Sequence, residues 1–349
     1  MGHLKGAMIG FGFIAGRGHL PAYALHGDID IVAVADVCAP RREAAAKALP
    51  GARIFPTYEA LLAQMGGSLD FVDICTPPHA HAEIALAAME QGLHVLCEKP
   101  LATTVEGARA MLSKANESRR VLYPSHNYRH APVIKAVRSI LDEGTLGKVH
   151  LVTLDTFRTT HARGTPEWRE HWRRDLQYSG GGIAMDHGSH TFYLAFDWLR
   201  SHPTAISATT SSRDAGDTEE TFSARVTFPT GVAHATLTWA AGVRKVIYTL
   251  HGEHGAIRVE DDDIEVSLQR QVAGETRWDT TRRVVSSSWM DASHAHWFAS
   301  MIASFRGAVE KSDFVGSDAR DALQCVTLID AGYRSARAGG KELAVGIAS

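Results

Sequence analysis

Between Ala7 and Pro124, short apolar runs alternate with helix-patterned stretches, and this alternation restricts the fold more than any other property of the chain. Ala7-Met8-Ile9, Ile29–Ala35, Arg53–Phe55, Phe71–Cys75, His94–Cys97 and Val121–Pro124 read as strands. Ala39–Leu49, Tyr58–Met65, His81–Gln91 and Thr103 to about Ser118 read as helices between them. Strands apolar almost throughout are covered on both faces, and strand–helix alternation builds a parallel sheet. Such a sheet places its ligands outside the carboxyl ends of its strands.

The first of those ends carries Gly10-Phe11-Gly12-Phe13-Ile14-Ala15, a GxGxxA pattern on a strand-to-helix turn. The first glycine allows the tight turn and the second lets the backbone approach a pyrophosphate. The small third residue lets helix and strand pack closely. The next strand ends in Asp36, where a carboxylate binds the adenosine ribose hydroxyls and repels a 2′-phosphate. Gly10, Gly12, Phe13, Ile14 and Asp36 are therefore expected to hold NAD(H) in preference to NADP(H). Arg41 either stacks on the adenine or is a solvated charge on the following helix.

Glu98-Lys99-Pro100 follows the apolar run His94-Val95-Leu96-Cys97, so Lys99 is expected at the ligand crevice or, on position alone, in a surface loop. His126-Asn127-Tyr128-Arg129 follows the last strand and is expected at the same edge. The helix Pro132–Glu143 and the turn Gly144–Gly147 close this part of the chain.

At 349 residues two domains are expected, the first to about residue 125 and the second over 126–349. Val149–Phe157, Ala205–Ser211, Thr221–Phe228, Val232–Trp239, Lys245–His251, Ala256–Val259 and Ile264–Gln269 read as strands without intervening helices. That pattern predicts an α+β domain with a large, mostly antiparallel sheet. Helices over Ala292–Lys311 and Ser317–Ala338 are expected to pack back on the first domain or to flank the sheet. Asp261-Asp262-Asp263 fits a solvated turn. The net charge of 36 − 39 = −3 gives no basic field for nucleic acid or an anionic membrane. The four cysteines lack CxxC spacing, which fits a reducing compartment. With no apolar run near the length of a membrane span and no signal-peptide core, a cytoplasmic protein is expected.

The second chemical stretch is Ser179-Gly180-Gly181-Gly182-Ile183-Ala184-Met185-Asp186-His187-Gly188-Ser189-His190. The glycines permit close backbone approach before a helix on which Asp186 and His190, i and i+4, share a face. Such a pair suits general-base chemistry, the carboxylate orienting the imidazole and stabilising its charged form. Gly188 within the helix costs about 1 kcal/mol relative to alanine, so a close neighbour is expected there. A buried, mutually satisfied pair is the alternative. A metal set of Asp186, His187 and His190 is awkward, because His187 lies about 100° around the helix from Asp186, and no metal is expected.

Together these residues resemble the Gfo/Idh/MocA family of nicotinamide-dependent oxidoreductases, over nearly the whole chain. The resemblance rests on Gly10 to Ala15, Asp36, Thr76-Pro77 with His81, Glu98-Lys99-Pro100, and Gly180-Gly181-Gly182 leading to Asp186 and His190. It implies a Rossmann domain followed by an open-sheet substrate domain that forms homodimers or homotetramers through its sheet. It also implies cofactor contacts at Thr76, Pro77, His81, Glu98 and Asn127, a cis peptide before Pro100, and Lys99, Asp186 and His190 flanking the nicotinamide. Pro78 and His187 depart from the asparagine and the apolar residue more usual in the family. The implied substrates are sugars, cyclitols or related polyols.

The resulting expectation is hydride transfer at a secondary hydroxyl, with His190 as base, Asp186 orienting it and Lys99 bonded to the reacting oxygen. Substrate contacts are expected from Lys99, Arg129, His161, Trp172, Arg173, Asp186 and His190. Trp168 and Tyr178 belong to the same aromatic and basic stretch, in which Trp168 and Trp172 alternatively form a helical packing stripe. Two other functions suit the same residues less well. One is an enzyme that uses NAD transiently for cleavage, elimination or isomerisation; the other is a non-catalytic NAD-binding subunit.

Overall fold

The computed structural model describes residues 2–213, 218–286, 289 and 294–346. It divides into two compact units: residues 1–127, 162–180 and 292–326 form the first, and 128–161, 181–291 and 327–349 the second.

In the first unit, β1 (Leu4–Ile9), β2 (Ile29–Ala35), β3 (Arg53–Phe55), β4 (Phe71–Ile74), β5 (His94–Cys97) and β6 (Leu122–Pro124) form one sheet in the order β3-β2-β1-β4-β5-β6. Every pairing is parallel. The order reverses between β1 and β4, the switch point at which doubly wound sheets open their ligand crevice. Thr57 and Thr104 cap the helices Tyr58–Met65 and Val105–Ser118, their hydroxyls accepting the Ala60 and Gly107 N–H groups. The chain after the glycine turn is π-helical over Ala15–His19 before a single α-helical turn, Leu20–Tyr23.

One face of the sheet is covered from far along the chain. Phe298, Met301, Ile302 and Phe305 of the helix Ala295–Lys311 are buried with Tyr23, Phe71, Leu96, Val121 and Tyr123. The expected start of this helix at Ala292 lies outside the described residues.

In the second unit, β7 (Val149–Phe157), β8 (Ala205–Ser211), β9 (Thr221–Phe228), β10 (Gly231–Thr238), β11 (Lys245–Gly252), β12 (Gly255–Glu260), β13 (Asp263–Val272), β14 (Glu275–Val284) and β15 (Leu343–Ala344) form a nine-stranded sheet. Its order is β14-β13-β12-β11-β7-β10-β9-β8-β15, and only β7 and β10 pair in parallel. Burial alternates along the strands, with Phe222, Ala224, Val226 and Phe228 of β9 facing inward. The helix Ile183–Leu199 lies against β7, β9 and β10.

The strand β14 departs from expectation. All ten of its residues are exposed, so it has no buried face to impose a period of two on its sequence. Among the described residues no helix is long and apolar enough to cross a membrane.

His94 opens β5, and its Nδ1 accepts the Val121 N–H at 2.9 Å. Burial, with the Arg120 charge second, pushes this imidazole down from 6.5 to about 4. As pH falls below 6.5 the unfolded chain therefore takes up a proton that the folded one refuses. Stability from this residue is lost from pH 6.5 towards about 4. An NMR titration should place the His94 midpoint near 4, and His94→Asn should flatten the acid limb of the stability curve. A midpoint near 6.5 would contradict this account.

Candidate active site

The glycine turn meets its neighbours where the first sheet reverses order. Gly10 has φ +89°, and a Cβ there would lie 2.9 Å from backbone atoms of Cys75 and Thr76. Only glycine lets the chain leave β1 this close to the end of β4. The Asp36 carboxylate accepts the Phe11 N–H and the Cys38 N–H, each at 2.7 Å, tying the glycine turn to the turn after β2. A Cβ at Gly12 would meet nothing within 4 Å, and Phe13 and the neighbour of Asp36, Val37, are exposed.

Thr76 Oγ1 is buried without a hydrogen-bond partner among the described residues. An anchored carboxylate, an open glycine backbone, exposed apolar surfaces and an orphaned hydroxyl fit a dinucleotide. Arg41 Nη2 pairs with Glu167 Oε2 at 2.5 Å, so the guanidinium proposed to stack on adenine is engaged by a carboxylate.

His81 and Glu98 are occupied within the protein. His81 Nε2 lies 2.8 Å from the Thr76 carbonyl and Nδ1 2.9 Å from that of Pro100, so the ring joins the turns after β4 and β5. Burial lowers the His81 pKa. Glu98 Oε1 accepts the Ser125 hydroxyl at 2.7 Å and faces His19 Nε2 at 3.0 Å, while its Oε2 accepts the Lys99 N–H at 3.2 Å. Burial pushes this carboxyl up, but the His19 hydrogen bond and charge, with Lys99 and Ser125, outweigh burial and hold it below its ordinary value. The Lys99–Pro100 peptide is cis, and Lys99 is half-buried beyond β5. Asn127 is buried at the start of a 3-10 turn.

His19 Nδ1 also faces Asp73 Oδ2 at 2.7 Å, and the Cys75 thiol lies near both. The three could in principle approach a metal. The 2.7 Å His19–Asp73 contact is a hydrogen-bond distance, and burial pushes the Cys75 thiol up to about 12.

The segment 162–180 belongs to the first unit. Here Trp168 and Trp172 share no helix, since Trp172 opens a 3-10 turn, Trp172–Arg174, that leaves Trp168 out, so the alternative of a helical packing stripe does not hold. Trp168 instead meets Tyr178 edge-on at 5.5 Å, and the Arg169 guanidinium lies 4.3 Å from the Tyr178 ring centre. Arg173 lies over Trp172 and donates to the Ala162 carbonyl. Gly180, at φ +73°, would clash with Thr103 if it carried a Cβ.

In the second unit, the helix Ile183–Leu199 carries the acid and imidazole groups. Glu219 holds its N-terminus, accepting the Gly182 and Ala184 N–H groups at 2.8 and 2.9 Å and the Tyr333 hydroxyl at 2.8 Å. A Cβ at Gly181 would collide with Tyr333, and one at Gly182 with Glu219. At Gly188 the close neighbour is Ile329, 3.1 Å from where a Cβ would stand. Asp186 Oδ2 lies 3.2 Å from His187 Nδ1.

His190 is buried, with Nδ1 2.8 Å from the Tyr193 hydroxyl and its ring stacked on Tyr128 at 3.8 Å and 9°. Tyr193 in turn accepts the Tyr128 N–H. Arg129 is paired through two nitrogens with Asp197 at 3.0 and 2.9 Å and lies over the Tyr193 ring, an arrangement that braces the scaffold. His161 is buried beside Trp239.

Sequence patterns gave no reason to single out Tyr128 and Tyr193 as partners of His190, or Glu219 and Tyr333 as the clamp on its helix. Asp73 did leave a signal: a carboxylate within an apolar strand requires a buried partner.

A Rossmann sheet with a dinucleotide-type glycine turn, together with a separate large open sheet, defines a two-part dinucleotide-binding architecture. The family model of an oxidoreductase family with an NAD-binding Rossmann fold matches residues 4–126, and the GFO/IDH/MocA C-terminal domain matches residues 134–258. The chain belongs to the Gfo/Idh/MocA family of oxidoreductases. It is 28% identical to the inositol 2-dehydrogenase of Rhizobium meliloti over 94% of this chain and 95% of that protein. With the D-glucoside 3-dehydrogenase of Escherichia coli it is 33% identical over 54% of this chain, a match spanning about half, 51%, of that relative's length. A solved structure of levoglucosan dehydrogenase in complex with NADH has a TM-score of 0.85 at 22% identity, over 99% of this chain and 100% of that one, and shares its fold.

Replacing Glu219 by alanine strands two helix N–H groups and the Tyr333 hydroxyl. A loss of about 1–3 kcal/mol is expected in urea melts. A loss below about 0.5 kcal/mol, the scale of an ordinary surface substitution, would mean that water serves these groups equally well.

Proposed function

We propose that the protein is an NAD-dependent dehydrogenase or reductase acting on a secondary hydroxyl, or the corresponding ketone, of a sugar, cyclitol or related polyol. The observation that carries the reading is the setting of His190. Its ring is buried and stacked, with Nδ1 2.8 Å from the Tyr193 hydroxyl; in the tautomer whose Nδ1–H donates to that oxygen, Nε2 is the nitrogen that would take the proton. Relatives named as dehydrogenases of inositol and of a glucoside support the substrate class.

The nicotinamide, when bound, supplies the hydride acceptor in oxidation and the donor in reduction. His190 takes the hydroxyl proton as the carbinol carbon loses its hydride, so a ketone and a protonated imidazole result. Asp186, one helical turn earlier, favours the charged imidazole. Lys99 donates a hydrogen bond to the reacting oxygen and stabilises the negative charge that develops there. Positioned proton transfer contributes on the order of 10²–10⁴-fold. Asp36 binds the ribose hydroxyls and disfavours a 2′-phosphate, which selects NAD(H) over NADP(H). His161, Trp172 and Arg173 are the remaining proposed substrate contacts. Arg129, already paired with Asp197, is assigned to the scaffold.

The test is nicotinamide absorbance over a panel of sugars, inositols, sugar acids and their keto forms, with mass spectrometry of the products. Net NADH on one polyol class is expected; product without net NADH would replace the reading with transient redox chemistry. Lys99→Ala should lower turnover at least about 10²-fold while NAD affinity changes little. Unchanged turnover would remove Lys99 from the chemistry. Asp36→Ser should raise the preference for NADP(H) over NAD(H) about tenfold or more, and an unmoved ratio would show that Asp36 does not select the cofactor.

A further inference from the structure

A branched chain of hydrogen bonds lies within the first unit and ends at the residue before Lys99. His19 is wholly buried, with Nδ1 at 2.7 Å from Asp73 Oδ2 and Nε2 at 3.0 Å from Glu98 Oε1. Each carboxylate has further donors. Asp73 receives the Tyr23 hydroxyl at 3.0 Å and the Cys75 thiol at 3.5 Å; Glu98 receives the Ser125 hydroxyl and the Lys99 N–H. An imidazole that serves two ionised carboxylates donates from both nitrogens, and so carries both protons and a positive charge. Burial pushes this ring down, but the charge and hydrogen bond of Asp73 oppose burial, and the ring is held well above its ordinary value.

Stability does not explain such an array. Buried ion pairs are often no more stabilising than apolar residues of similar shape, whereas they demand a fixed geometry to be tolerated at all. What the array fixes is the relation of three elements. His19 ends the π-helical turn that follows the glycine turn, Asp73 lies in β4, and Glu98 ends the run from β5. The extra residue of a π-turn rotates the following side chains, and such turns are frequent at functional sites.

The geometry points to His19 as a positioning residue for Lys99: clamped to Asp73, it holds Glu98 so that the second carboxylate oxygen receives the Lys99 N–H and sets where the lysine leaves β5. Nothing in this assignment has His19 touching substrate or cofactor. It deepens the proposed function and rests on the role given there to Lys99.

The first measurement is hydrogen–deuterium exchange at the Lys99 amide in the native protein and in His19→Gln, whose shorter fork reaches one carboxylate but not both. Loss of Lys99 protection, with amides of β2 and β6 still protected, is expected; native protection would overturn the proposal. The second is a double-mutant cycle in turnover with NAD on inositol and on a simple glucoside. His19→Gln should cost about 10²-fold beside Lys99, the scale of a misplacement of about 1 Å, and less than about 2-fold in the Lys99→Ala background. Equal factors in both backgrounds would mean a general structural role and would also overturn it.

Should Lys99→Ala leave turnover unchanged, the reading of Lys99 fails, while the exchange measurement still decides whether His19 holds its amide. Should His19→Gln not fold, Glu98→Gln, which keeps the shape and removes the charge, takes its place in both measurements. Nitrogen NMR of the native ring then adds a direct test. Two protonated nitrogens are expected at a pH above the ordinary imidazole value, and a single one would refute the clamp.

Discussion

The approach of Gly10 to the backbone of Cys75 and Thr76 is the constraint on which the nucleotide end of the first sheet depends. β1 and β4 are neighbours in the sheet though not in the chain, and their exits diverge at this point. Any side chain at residue 10 would push the two ends apart. The anchoring of Asp36 to the Phe11 and Cys38 amides then transmits the position of that turn to the residue that would read the ribose. A few hydrogen bonds and one missing methyl thus set the spacing among three strand ends.

Both units place charged groups in their interiors and satisfy them with short hydrogen bonds. In the first, Asp73 receives the Tyr23 hydroxyl and the Cys75 thiol, Glu98 receives the Ser125 hydroxyl, and the His19 imidazole lies between the two carboxylates. In the second, Glu219 spends its oxygens on helix amides and on Tyr333, and burial raises its pKa despite those donors. Such groups cost desolvation, and their return is orientation: the half-satisfied alternative is worse than an apolar core. The helix bearing His190 and the turn bearing Lys99 are each held in this way.

Most of the fold was legible because burial wrote itself into the sequence. Strands such as Ile29–Ala35, Val149–Phe157 and Thr221–Phe228 have the bounds that their apolar pattern predicts. The strand Glu275–Val284 was hidden, since a strand exposed on both faces needs no pattern. Helix starts shifted where a threonine cap, Thr104, took the place of a first turn. At the site, the residues proposed to carry chemistry stood out by type and spacing, but those that hold them did not. His19 meets Asp73 and Glu98 across 54 and 79 residues of chain, and only the folded sheet brings them together. Gly188 shows the intermediate case: its cost announced a close neighbour, and only the structure names Ile329.

The order in which elements enter the two sheets bears on how the chain is made. β7 is flanked by β10 and β11, which are synthesised long after it. Phe71 and Leu96 wait for Phe305 and its helix to cover them. Pairings so distant in sequence form slowly, and an uncovered apolar sheet is prone to association in the meantime. A ribosome therefore carries most of this chain before either unit can close. Protection of the nascent polypeptide, by a chaperone or by slow emergence, becomes a requirement that this topology places on the cell that produces it.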